Sequence, residues 1–147
     1  GEYQELHEES KDILRFIQKI SLFDEFPRSQ INFIAWRMRP VKCKEGEEII
    51  KQGEQGRRYF YVIKSGEFLA ELELENGEKK ELSRMGTGEY FGEIALLLDI
   101  PRTATVRALT DGELYSLEEK DFDNILGKSL YSQKTLELIS SRRLYNK

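Results

Sequence analysis

At 147 residues and 39% hydrophobic content, the chain suffices for one compact domain with a real core and is too short for several. Its 23 basic residues are outnumbered by 27 acidic ones, a net charge of −4, which is the wrong balance for neutralising a phosphate backbone and argues against nucleic-acid binding. With His7 as the single histidine and Cys43 as the single cysteine, a histidine-rich metal site and an intramolecular disulfide are both excluded.

Helical spacing appears first. Ile13, Leu14, Phe16, Ile17 and Ile20 recur at intervals of three and four, with Ser10 as the expected N-cap and Asp12 in the first turn. A second helix is predicted over Arg28 to Met38 and stopped by Pro40, which lacks an amide donor and disfavours helical angles in the residue before it. Residues 1–40 therefore read as a helical segment.

Past Pro40 the texture changes to short apolar stretches divided by glycines at 46, 53, 56, 66, 77, 86, 88 and 112, the pattern of many strands joined by tight turns. Cys43, between Val41, Lys42 and Lys44, reads as a packing residue of one strand. Phe68, Ala70, Leu72 and Leu74 alternate with Leu69, Glu71, Glu73 and Glu75 and end at Asn76-Gly77, which suits a type I′ hairpin; the return strand runs through Leu82. The β region is placed at 41–117. From Glu118 helical spacing returns with Phe122, Ile125 and Leu126, and Gly127 is the expected C-terminal cap. A last helix is predicted from Ser129 or Leu130 to Tyr145, giving a helical segment over 118–147.

The longest apolar run, Ile94–Leu98, is far too short to cross a bilayer, and the N-terminus lacks the features of a signal peptide. The expected location is cytoplasmic, with no direct membrane insertion. Helices bracketing a β core without another module read as a piece of something longer, with Gly1 as a cloning scar.

The chemistry concentrates between Gly86 and Ala108. Glycines at 86, 88 and 92 lead into Glu93-Ile94-Ala95-Leu96-Leu97, about one and a half turns of helix. Amides at the start of a helix have no intrahelical partner and attract an anion, and the small Gly92 and Ala95 permit close approach. Asp99-Ile100-Pro101 then turns the chain and delivers Arg102, whose planar fork of donors suits a phosphate. Glu93 would repel a phosphate but accept a hydrogen bond from a sugar hydroxyl. By residue type alone the pair equally fits a structural Glu93–Arg102 salt bridge.

Phe91-Gly-Glu-Ile-Ala-Leu-Leu97 followed by Pro101-Arg-Thr-Ala-Thr-Val106 resembles the phosphate-binding cassette of the cyclic-nucleotide-binding domain family, which includes regulatory regions of cyclic-AMP- and cyclic-GMP-dependent protein kinases. Glycines 46, 53, 56 and 66 among Ile49, Tyr61, Val62 and Ile63 are similar to the family's strand pattern, and Leu22-Phe23 to the end of its N-terminal helices. The resemblance covers residues 10 to 145, with the cassette at 88–108. It implies an α+β fold, an eight-stranded β jelly-roll barrel flanked by N-terminal and C-terminal helices.

Carried over residue by residue, the resemblance implies that Glu93 binds the ribose 2′-hydroxyl and Arg102 the exocyclic phosphate oxygens, with Gly92, Ile94, Ala95, Thr103 and Ala104 completing the ligand-binding set. Phe91 and Leu96 to Leu98 read as packing. Arg57-Arg58 depart from the family, where small or acidic residues are frequent, and read as solvated surface. Thr103 resembles cyclic-GMP-dependent kinases, where a hydroxyl bridges the guanine 2-amino group and the phosphate, so cyclic GMP is favoured over cyclic AMP. Base contacts are sought at Leu82, Ser83 and Arg84, and from the last helix at Arg142, Arg143, Leu144 or Tyr145; the sequence favours a surface role for Arg84, and an amphipathic helix with a basic end fits the last group at least as well. The implied protein is a non-catalytic regulatory domain with no metal or cofactor besides its nucleotide ligand, acting on a kinase catalytic domain in cis or in trans. The alternative is the nucleotide-binding domain of a cyclic-nucleotide-gated channel or another cyclic-AMP-regulated effector.

Overall fold

The computed structural model describes residues 8–126. Two helices come first, α1 (Glu8–Ile17) and α2 (Arg28–Arg37), with a 3₁₀ turn at Ser21–Phe23 between them. Eight strands follow: β1 (Arg39–Cys43), β2 (Glu48–Ile50), β3 (Tyr59–Ser65), β4 (Phe68–Glu73), β5 (Lys79–Met85), β6 (Tyr90–Phe91), β7 (Thr105–Ala108) and β8 (Gly112–Glu118). A short helix α3 (Glu93–Leu98) is inserted between β6 and β7, and α4 (Glu119–Ile125) follows β8. The strands form two four-stranded antiparallel sheets, ordered β1-β8-β3-β6 and β2-β7-β4-β5. That strand order is the expected jelly roll. The predicted last helix, with Gly127, Arg142, Arg143, Leu144 and Tyr145, lies outside the described residues.

The period-two geometry of a strand sends alternate side chains to opposite faces, and β3 shows what each face is for. Tyr61 and Ile63 point between the sheets, where they join Cys43, Ile50, Phe68, Phe91, Val106 and Leu114. Phe60 and Val62 point the other way, into a second cluster with Ile13, Ile17, Ile34, Phe122 and Leu126 from the helices. Thus β3 is buried on both faces. The Phe60 and Phe122 rings lie 5.2 Å apart and seat α4 on the strand, while Arg37 Nε donates to the buried Asp121 at 2.8 Å and ties α2 to α4.

Three local expectations change. Ser10 is buried within α1 rather than capping it, because the helix already includes Glu8 and Glu9, whose charges favour a first turn. The hairpin at Asn76-Gly77 is not type I′, which needs positive φ at both residues; Gly77 alone has it, at 89°. Instead the Gly77 amide donates to Leu74 O and the Leu74 amide to Glu78 O, a three-residue loop with a bulge, and Asn76 Oδ1 accepts from the Glu78 amide. Pro40 lies within β1, tolerated because β1 is the edge of its sheet.

Cys43 is buried in the inner cluster, as a packing cysteine should be. Burial, helped by Glu47, pushes its thiol up to about 11. Below the ordinary thiol range it is protonated folded or unfolded; above it the unfolded chain ionises first, so stability falls with rising pH. Alkylation at pH 8 is expected to be slow in the native chain and fast in denaturant, followed by thiol titration with a chromogenic disulfide.

Candidate functional site

The inserted helix α3 is built on Gly92, which has φ +92° and precedes Glu93 as its N-cap. A Cβ at this position would meet the Tyr59 carbonyl oxygen at 3.0 Å and Arg102 Nη1 at 3.5 Å. Only the missing side chain lets the backbone pass so close to the end of β3. Glu93 opens the helix and is 8% exposed. Its carboxylate belongs to the end of the helix where negative charge is favoured. Asp99 closes the helix in the left-handed region, with φ 53°.

Arg102 follows the turn at Ile100-Pro101 and is only 7% exposed. Its Nη1 donates to Gly92 O and its Nη2 to Tyr59 O, each at 2.9 Å. The backbone is fixed as well: the Arg102 amide donates to Glu54 O at 3.0 Å, and the Gly53 amide to Arg102 O at 2.7 Å. A guanidinium so buried, with carbonyls as its hydrogen-bond acceptors, has its pKa lowered by desolvation, against which Tyr61 and Glu54 act from a distance. An oxyanion is the natural partner for a cation in that position, since charge-assisted hydrogen bonds are shorter and stronger than neutral ones. Beside it lies a cavity of about 340 Å³ lined by Ile49, Ile50, Glu54, Tyr59 and Tyr61. Burial pushes the Tyr61 phenol above its usual range, with the Arg102 guanidinium pulling the other way.

The arrangement is a buried arginine and a buried acid on one glycine-hinged insertion, and the family model for the cyclic nucleotide-binding domain matches residues 40–129. The chain belongs to the cyclic nucleotide-binding domain family. A cAMP-dependent protein kinase regulatory subunit from Mucor circinelloides f. lusitanicus is 36% identical over 115 residues, covering 78% of this chain and 26% of that protein. The cAMP co-crystal structure of the regulatory domain of Toxoplasma gondii PKA superposes with a TM-score of 0.81 at 27% identity, covering 88% of this chain and 50% of that one. The catabolite activator protein of Thermus thermophilus is also similar, with a TM-score of 0.67 at 26% identity over 84% of this chain and 57% of that one. This chain thus spans about a quarter of the curated relative's length and half of the Toxoplasma chain.

Within this cyclic nucleotide-binding domain the predicted residues are placed unevenly. Gly92, Glu93, Ile94 and Ala95 form the start of α3, and Arg102 reaches back to its cap. Thr103 is exposed and Ala104 half-buried on the approach to β7. On β5, Ser83 pairs with Ala70 and Met85 with Phe68, which puts Ser83 on the same face of the strand as Met85, where it is itself exposed. Arg84 alternates to the outside, where Nε donates to Glu81 at 2.7 Å. Leu82 sits at the irregularity between the Ala70 and Glu71 pairings and is half-buried. Leu96 packs in the helix-side cluster with Leu97 against it, and Phe91 packs inside the barrel, in line with their expected packing role.

Arg58 does not fit its reading as solvated surface. Arg57 is exposed, its side chain 77% accessible, but that of Arg58 is only 13% accessible. The reason is chemical: five donors on one planar group find acceptors on α3, on the turn after it and on α4. Tyr59 was also invisible, because its part in the site is played by a backbone carbonyl that any residue would supply. Among the described residues, no group of three metal-capable side chains is present and no helix is long and apolar enough to cross a membrane.

Proposed function

We propose that this domain binds a cyclic nucleotide at the cassette formed by α3 and Arg102 and thereby regulates a protein kinase, without catalysis of its own. The observation that carries the reading is the buried Arg102 guanidinium, held by Gly92 O and Tyr59 O within a family whose model covers the whole β region. Arg102 takes the exocyclic phosphate oxygens, Glu93 the ribose 2′-hydroxyl, and the backbone of Gly92, Ile94, Ala95, Thr103 and Ala104 closes around them. Ser83, which shares the Met85 face of β5 and is exposed there, is a better placed base contact than Arg84, which is engaged with Glu81. The kinase connection is supported by the similarity to a regulatory subunit, and the controlled catalytic domain lies in cis or in trans. The expected location is the cytoplasm.

Cyclic GMP is the favoured ligand. Thr103 directly follows the phosphate arginine and is exposed, so its hydroxyl is free to accept from the guanine 2-amino group while donating to phosphate. Calorimetric titration of the native chain and Thr103→Ala with both nucleotides tests this. The substitution is expected to weaken cyclic GMP by about 1 kcal/mol more than cyclic AMP, the scale of one net hydrogen bond, since the bond to phosphate is common to both and only the bond from the 2-amino group is lost with guanine alone. An unaltered ratio of the two affinities would overturn the preference while leaving the site intact.

A further inference from the structure

Arg58 ends the loop before β3, yet its side chain reaches three other parts of the chain. Its Nη1 donates to Ala95 O at 3.2 Å and Ile100 O at 2.9 Å; its Nη2 donates to Asp99 Oδ1 at 2.8 Å and Glu119 Oε2 at 2.6 Å. Its Nε completes a bidentate hold on Glu119 through Oε1 at 3.2 Å, and the Glu119 amide returns a bond to Arg58 O at 3.2 Å. Ala95 O, which also accepts the Asp99 and Ile100 amides, lies in the last turn of α3, and Ile100 O lies in the turn that follows the helix. Glu119 is the first residue of α4. One guanidinium therefore fastens the far end of the cassette helix, the Asp99 turn and the start of α4 to the edge of β3.

A helix of six residues has little stability of its own, since the cost of nucleating it is spread over few hydrogen bonds. Its position depends on how its two ends are held. Gly92 and Arg102 hold the near end, where the ligand is expected; Arg58 holds the far end. Asp99, the positive-φ non-glycine residue among those described, directs its carboxylate at Arg58. We propose that Arg58 is a positioning residue of the nucleotide site, joining α3 to α4 so that ordering of the cassette by ligand is passed to that helix. This rests on the nucleotide-binding reading above. Lysine could not take the place of Arg58: a point charge meets one or two acceptors, whereas the planar fork meets two carbonyls and two carboxylates together.

The test uses the intact chain and its Arg58→Ala, Arg58→Lys and Glu119→Gln variants, with calorimetric titration by cyclic AMP and cyclic GMP and hydrogen exchange at the amides of residues 119–126 with and without nucleotide. Arg58→Ala is expected to bind about tenfold more weakly, equivalent to 1.4 kcal/mol, although Arg102 is untouched, and Arg58→Lys to recover only part of that. Glu119→Gln keeps the cassette contacts of Arg58 and weakens the link to α4, because a neutral amide offers one acceptor oxygen in place of the bidentate carboxylate. It should stay within about twofold of native affinity, as suits a partly exposed pair, yet show clearly reduced ligand-induced protection of α4. It also preserves the test if Arg58→Ala does not fold. Native affinity in Arg58→Ala, or undiminished α4 protection in Glu119→Gln, would overturn the proposal alone; no binding of either nucleotide by the native chain would overturn it together with the reading on which it rests.

Discussion

Arg102→Ala is expected to lose cyclic-nucleotide binding by at least about 100-fold, because two charge-assisted hydrogen bonds to phosphate, roughly 1.5–3 kcal/mol each, disappear together. The magnitude depends on burial. Arg102 is 7% exposed and already held by Gly92 O and Tyr59 O, so the ligand meets a preformed donor fork instead of ordering a mobile side chain. Arg102→Lys keeps the charge and discards the fork; its affinity should fall between the native and alanine values. Calorimetry measures both variants, and thermal melting without ligand separates a binding defect from a folding one. If Arg102→Ala bound within about threefold of native, less than 1 kcal/mol, the phosphate could not be held by this residue.

Gly92→Ala has the second large expected effect. At φ +92° an L-residue is strained by roughly 1–3 kcal/mol, and the added Cβ would press on Tyr59 O at 3.0 Å, the carbonyl that also anchors Arg102 Nη2. Relief requires the cassette to lift from β3, which separates the arginine from its support. Affinity should therefore drop by about 10- to 100-fold on the strain scale alone, and the melting temperature should fall by several degrees. Normal binding with an unchanged melting temperature would show that the close approach at Gly92 is not needed to shape the site.

What the chain's sequence revealed, and what it concealed, follows from the range of the interactions involved. Glycine punctuation and the alternation around Phe68 and Ala70 exposed a multi-stranded β region because those signals are local. Glu93 and Arg102 stand out as candidates because a short ordered motif carries both. Strands as brief as β2 and β6 have too few residues for a period to register. The turn at Gly77 misled because Asn-Gly also suits a bulged loop, and the choice rests on the positive φ being confined to one residue. The place of Arg58 is concealed for a different reason. A charged pair of residues in a glycine-rich loop looks solvated until the fold brings Ala95, Asp99, Ile100 and Glu119 around one of them, and those partners lie 37 to 61 positions away.

The most direct test of the central claim is calorimetric titration of the intact chain with cyclic GMP and cyclic AMP. One saturable site per chain, with a Kd below about 100 μM (roughly 5.5 kcal/mol) for at least one nucleotide and tighter for cyclic GMP, is the predicted result. Failure of both nucleotides to bind within that limit would contradict the assignment of α3 and Arg102 as a nucleotide site.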